Sequence, residues 1–234
     1  MNLVCGLGNP GARYARTRHN AGFMAVDAIG EALSASFAER WQARVARVAL
    51  CGEDVLLVEP MTFMNLSGHA VAAAAGFFRV EPIDVLVVHD DADLPLGRVQ
   101  VKLGGGDGGH KGIRSTIEQL GTRDFPRLRV GVGRPVAAQD AEPCGEPGPE
   151  VREGPHETSM ADHVLSPFGE DEREVLDAAL ARAVEGIREW VVGGVPRAQN
   201  RVNRREVSPK DRPAKPSCPG DESDPGPRDR KEVG

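Results

Sequence analysis

Leu3-Val4-Cys5-Gly6-Leu7-Gly8-Asn9-Pro10-Gly11, running on to Arg16-Thr17-Arg18-His19-Asn20, is the stretch on which the reading of this chain turns. An apolar run enters a polar, glycine-rich loop, and an amphipathic run with Phe23, Val26, Ile29 and Leu33 leaves it. Apolar continuity predicts a buried strand over residues 2–6, and the three-and-four spacing predicts a helix over about 21–35 with Asn20 as its N-cap. The loop after the first strand of an α/β sheet is where such folds place chemistry, and this one ends in a histidine. Gly6-x-Gly8-x-x-Gly11 also matches the letter of the dinucleotide-binding fingerprint. In that motif the helix begins within the glycines, so that its N-terminus meets the pyrophosphate. Here Pro10 and a stretch of arginines intervene, and the helical pattern starts about ten residues later. Nicotinamide or flavin binding is therefore not expected, and no cofactor is.

Strands and helices interleave along the rest of the chain. Alternation over 42–50 and the run at 54–59, joined by Cys51-Gly52-Glu53, predict a hairpin. A loop from Pro60 to Asn65 precedes an alanine-rich helix from Ser67 to about Arg79. Residues 84–88 read as a buried strand ending in His89-Asp90-Asp91-Ala92-Asp93, and 98–103 as a half-exposed strand. The glycine-rich loop from Gly104 to Gly109 then leads into a helix over about 112–120 and a strand over 127–132. Helical spacing returns over about 170–193, followed by a short helix over 196–204. The fold class expected is α/β: one domain over 1–205, a twisted mixed β-sheet flanked by helices. Residues 136–160, rich in Pro, Gly and Glu without apolar periodicity, read as an exposed acidic loop, and 206–234 as a disordered tail.

Composition narrows the function classes. No apolar run is long enough for a transmembrane helix, no secretory leader is recognisable, and Cys5, Cys51, Cys144 and Cys218 show no paired spacing. A cytoplasmic protein is expected, with no membrane partner, no disulfide scaffold and no zinc site. The net charge of −6 is unevenly spread: residues 136–160 hold one arginine and six acids, while 1–135 hold 15 basic and 14 acidic residues. The acidity is thus concentrated outside the patterned part, and a basic face for a polyanion stays available.

Two sets of residues carry chemistry. A histidine acts as a general base when a carboxylate orients it, and Asp90, ending a buried strand, is placed by a parallel sheet beside the loop of His19. The acids from Asp90 to Asp93 also suit a divalent cation, but no phosphate-transfer signature accompanies them, and no metal is expected. Thr62-Phe63-Met64-Asn65-Leu66-Ser67-Gly68 reads as a capped helix start with Ser67 or Asn65 as cap, or as a ligand wall built on Phe63 and Met64. Gly104 to Gly109, ending at His110-Lys111, reads as a flexible connection or as a loop that approaches a substrate closely.

Taken together, these segments resemble the bacterial type of peptidyl-tRNA hydrolase. The resemblance rests on Gly6 to Gly11 with Tyr14, Thr17 to Gly22, Thr62 to Gly68, His89-Asp90 with Asp93-Leu94-Pro95, Lys102 to Gly106, Gly109-His110 and Arg127 to Gly133. Val164-Leu165-Ser166 and Asn200-Arg201 fit later positions. It implies a monomeric, metal-free esterase that frees tRNA from peptidyl-tRNA. By the same resemblance His19 is the general base and Asp90 its orienting carboxylate. Asn9 and Asn65 place the peptide, the water or the developing oxyanion, and Tyr14, Phe63 and Met64 flank the tRNA end or the peptide. His110 and Lys111 belong to the substrate-binding loop, and Lys102 and Arg129 clamp the tRNA 5′-phosphate. Lys111 departs from the pattern, which has asparagine there; lysine donates but cannot accept. Two other classes compete with the esterase: an RNA-binding protein of this fold without catalysis, and a nucleotide-dependent oxidoreductase.

Overall fold

The computed structural model describes residues 1–135 and 159–204. Seven strands form one sheet: β1 (Asn2–Gly6), β2 (Ala38–Arg40), β3 (Ala43–Leu50), β4 (Glu53–Pro60), β5 (Val85–Asp91), β6 (Val99–Leu103) and β7 (Pro126–Gly131). Their order across the sheet is β2-β3-β4-β1-β5-β7-β6. The four central strands are parallel, and the antiparallel pairs β3–β4, β2–β3 and β6–β7 flank them. This is the mixed sheet expected. β1, β4 and β5 are near-continuous apolar runs because helices cover both faces of a parallel sheet.

Those helices are α1 (Ala21–Ala32), α2 (Ser67–Phe78), α3 (Lys111–Leu120), α4 (Met160–Leu165) and α5 (Arg173–Val202). Alternate residues of the strands feed two cores. Val4, Leu57, Leu86 and Val88 meet α1 and α5, while Leu3, Cys5, Val58 and Val87 meet α2 and α3. The two late helices expected from sequence are both present within α5, separated by non-helical backbone at Gly193 and Gly194, whose φ/ψ angles are −147/20° and 67/−167°.

Several local expectations need correction. Asn20 occupies the N-cap position of α1 but makes no side-chain cap; its amide is engaged by Asn9 instead. Neither Asn65 nor Ser67 caps α2. The Gly68 N–H donates to Ser115 Oγ of α3 at 3.0 Å, so the neighbouring helix supplies the acceptor. Two short elements were not foreseen. One is β2, an exposed edge strand of three residues. The other is α4, capped by Ser159, which takes over the last two residues of the loop expected at 136–160. The rest of that loop and the tail from Glu206 lie outside the described residues. No helix among the described residues is long and apolar enough to cross a membrane.

Gly6 and Gly8 of the opening stretch serve packing. A Cβ on Gly6 would stand 2.3 Å from the Gly22 carbonyl oxygen, and one on Gly8 would stand 2.6 Å from the Phe23 ring. At these two glycines the loop is pressed onto the first turn of α1, whereas Gly11 faces open space.

Candidate active site

The carboxyl ends of β1, β4 and β5 open into one cleft of about 970 Å³. The loop after β1 brings Asn9, Tyr14 and His19; the loop after β4 brings Phe63, Met64 and Asn65; β5 brings Asp90; the start of α3 brings His110 and Lys111. Nine of the eleven side chains singled out in the sequence therefore line a common wall. Lys102 and Arg129 do not. They lie on the neighbouring strands β6 and β7, in a row that also contains Arg127.

Asp90 is buried and accepts two hydrogen bonds on one oxygen. His19 Nδ1 stands 2.8 Å from Oδ1, and His110 Nε2 stands 2.9 Å from the same atom. The network assigns both tautomers. His110 caps α3 by accepting the Gly112 and Ile113 N–H groups on Nδ1, at 3.1 and 3.3 Å. Its proton is thus on Nε2 and is donated to Asp90. A carboxylate only accepts, so His19 donates from Nδ1, and its Nε2 lone pair is left for the cleft. Burial works against a charged Asp90, yet the two imidazoles, His110 and His19, hold its carboxyl well below the usual range.

Behind them lies His89, fully buried, donating from Nδ1 to its neighbour's carbonyl, Asp90 O, at 2.7 Å. Burial, reinforced by His110, keeps it neutral by pushing its pKa far down. It packs edge-on against the His110 ring, with centroids 4.9 Å apart.

Asn9 is held from three sides. Its N–H donates to Asn20 Oδ1 at 2.9 Å, its carbonyl accepts from Asn20 Nδ2 at 3.0 Å, and its Oδ1 accepts the Met64 N–H at 2.9 Å. The Nδ2 amide is the remaining donor, with no partner among the described residues. It is thus a fixed N–H donor on the cleft wall, the kind of group that stabilises a developing negative charge without reorganising.

His19, Asp90 and His110 offer atoms close enough for a metal ion, but their chemistry does not suit one. The His110 lone pair on Nδ1 serves the helix cap and its Nε2 carries the proton. Ligating a cation there would break the cap or require an imidazolate. The other acids of the β5 end have basic partners: Asp91 pairs with Arg129 at 2.5 Å and Asp93 with Arg134 at 2.6 Å.

Three groups with a structural hold on the site were not singled out. Arg127, buried beneath the glycine-rich loop, donates to the carbonyls of Gly105 and Gly106 at 2.6 and 2.5 Å. Arg18, next to His19, donates to both Glu172 oxygens and to Ser166 Oγ, tying the histidine loop to the start of α5. Asn20 grips Asn9. All three lie inside motifs quoted for the resemblance, but no role was attached to them there, because their partners lie elsewhere in sequence. Arg129, meanwhile, is already engaged by Asp91 and Gln100. Lys102 makes no hydrogen bond or close salt bridge among the described residues, and Asp91 attracts it from farther away. Burial and then Arg129 and Arg127 push its pKa down.

A histidine with a free ring nitrogen, fixed by a buried carboxylate beside an amide donor in a wide cleft, has the parts of a hydrolase that activates water. Comparison with known proteins makes the class specific. The family model described as peptidyl-tRNA hydrolase matches residues 3–210. The peptidyl-tRNA hydrolase of Desulfitobacterium hafniense is 42% identical over 204 residues, covering 87% of this chain and all of that protein. That of Thermus thermophilus is 43% identical over 208 residues, covering 89% and 99%. The crystal structure of the Acinetobacter baumannii peptidyl-tRNA hydrolase superposes with a TM-score of 0.75 at 32% identity, covering 89% of this chain and 97% of that one. The chain belongs to the peptidyl-tRNA hydrolase family.

Proposed function

We propose that this protein hydrolyses the ester between a peptide, or an N-blocked aminoacyl group, and the 3′ end of tRNA, releasing free tRNA. The observation that carries the reading is the paired donation of His19 Nδ1 and His110 Nε2 to Asp90 Oδ1, which leaves His19 Nε2 as the acceptor in the cleft.

In this mechanism His19 Nε2 takes a proton from water as the oxygen attacks the ester carbonyl. Asp90 holds the ring in the required tautomer and stabilises the imidazolium that forms. The tetrahedral oxyanion meets Asn9 Nδ2, whose orientation is fixed before the reaction begins. The proton on His19 then passes to the departing ribose oxygen. Tyr14, Phe63 and Met64 give apolar walls for the terminal base or the peptide, with Asn65 at the rim. His110 acts through Asp90 rather than on the substrate, since both its nitrogens are engaged within the protein.

The reading also takes Lys102, beside Arg129, as the contact for a tRNA phosphate. Burial and then the two neighbouring guanidiniums lower the pKa of its ammonium, and an anion would offset that. Arg129 in this scheme helps hold the local charge in place through Asp91. A monomer acting in the cytoplasm is the setting proposed.

The test is incubation of the native protein and His19→Ala with N-acetylaminoacyl-tRNA. Release of tRNA by the native protein, reduced at least about 100-fold in the variant with tRNA binding retained, is the expected result. Binding without cleavage by the native protein would make it an RNA-binding protein of this fold instead.

A further inference from the structure

Three side chains with permanent positive charge line the cleft among the described residues: Lys111, Arg114 and Arg134. Arg114 is held by Asp107 at 3.0 Å and Arg134 by Asp93 at 2.6 Å. Lys111 is exposed and has no carboxylate or hydrogen-bond partner among the described residues. It stands at the first position of α3, immediately after the His110 cap. A cation there opposes the helix's own positive end, so the location favours an anion over an ion-pair-free lysine.

Two anions arise near His19 during cleavage of a tRNA ester. One is the oxyanion of the tetrahedral intermediate. The other is the phosphodiester that joins the terminal nucleoside to the rest of the tRNA, one ribose away from the ester. Two groups of the cleft can answer them, and their physical characters differ. Asn9 is more than nine-tenths buried and held by three hydrogen bonds, with only Nδ2 unpartnered. That is the preorganised donor an oxyanion requires. Lys111 is a hydrated point charge on a flexible stem, suited to a phosphate of less exacting geometry.

Building on the hydrolase reading, we propose that Lys111 binds the 3′-terminal phosphodiester of the tRNA, and that this contact makes the enzyme prefer esters of a nucleotide chain over esters of a lone nucleoside.

The experiment compares two small substrates, the N-acetylaminoacyl ester of the dinucleotide CpA, which has one phosphodiester, and the same ester of adenosine, which has none. The quantity read is the ratio of their kcat/KM values. In Lys111→Gln the ratio is expected to fall about tenfold through KM, the scale of one charge-assisted contact at an exposed site, and Lys111→Arg should restore it. An unchanged ratio in Lys111→Gln, or an equal loss on both esters through kcat, overturns the assignment and points to the oxyanion. Equilibrium binding of unesterified CpA to native protein and Lys111→Gln reads the same contact without chemistry. About tenfold weaker binding by the variant supports the proposal, and equal binding refutes it. If native protein cleaves neither ester nor N-acetylaminoacyl-tRNA, the hydrolase reading fails, while the CpA measurement still decides the phosphate contact.

Discussion

At the scale of single residues, Asp90 organises the cleft because one of its oxygens serves two imidazoles. His110 is the less obvious of them, since it both caps α3 and neutralises part of the Asp90 charge. The two duties can be separated. Asparagine is a good N-cap but is too short to reproduce the Nε2 contact. In His110→Asn, Asp90 Oδ1 would accept from His19 alone and lose one of the two donors that fix it. kcat is expected to fall about tenfold with KM little changed, the scale of one lost hydrogen bond to a charged group. Thermal unfolding should move little, by less than about 1 kcal/mol. An unchanged kcat would show that the His110 contact does not help to fix Asp90. The His19–Asp90 pair was legible in the sequence because a strand end and a strand-following loop are neighbours in any parallel sheet. The role of His110 was not, because nothing in Gly109-His110-Lys111 tells which nitrogen the helix start will occupy.

At the scale of elements, the position of His19 depends on how closely α1 sits on the sheet. A Cβ on Gly22 would meet the Leu7 N–H and the Val88 carbonyl oxygen, both at 2.4 Å. These are backbone atoms of β1's continuation and of β5, so neither can step aside cheaply. Gly22→Ala is therefore expected to destabilise the fold by about 3 kcal/mol, measured by urea unfolding. It should also lower activity in the fraction that folds, since the turn over Arg18–Asn20 leads directly into α1. A stability loss under 1 kcal/mol would mean that α1 can lift away freely. The central strands and long helices were readable from apolar continuity and periodicity. β2 and α4 were not, because three exposed residues and a six-residue helix hold too few apolar positions to make a pattern. The bend in α5 could be placed near Gly193-Gly194-Val195-Pro196 because glycine and proline interrupt the repeat there.

At the scale of the whole molecule, one buried acid couples stability to pH. Glu59 on β4 is fully buried, with Arg44 2.9 Å away and Asp27 nearby on α1. Burial, and then Asp27, raise its pKa to about 8, against the pull of Arg44. In the unfolded chain the group ionises near its ordinary value of 4.5. Between these two values the folded protein holds one proton more than the unfolded chain, so stability falls as pH rises through this window. The slope attributable to Glu59 is about 1.4 kcal/mol per pH unit at most. Urea unfolding at pH 5, 6, 7 and 8 should show native protein losing stability relative to Glu59→Gln across that range. Parallel curves for the two proteins would show that Glu59 is ionised in the fold.

The sequence by itself pointed to the α/β class, the central strands, the location of a polar loop at the end of β1 and the pairing of His19 with Asp90, while Asn9 and Asn65 entered only through the family resemblance. The first four follow from local patterns, from the alternation rule of strands and from the fact that a parallel sheet gathers its carboxyl ends. Only the tertiary structure decided what the opening stretch does in detail. Its Gly6 and Gly8 lie against Gly22 and Phe23 because α1 crosses the sheet at that point, and its Asn9 is rigid because Asn20 and the Met64 N–H hold it. Lys102 and Arg129 fell outside the cleft because β6 and β7 lie at one edge of the sheet. Among the described residues Lys111 is left as the unpaired cation of the cleft, because Asp107 and Asp93 engage the two arginines. Each of these outcomes depends on which distant groups compete for the same hydrogen bond or charge, and that competition exists only once the chain has folded.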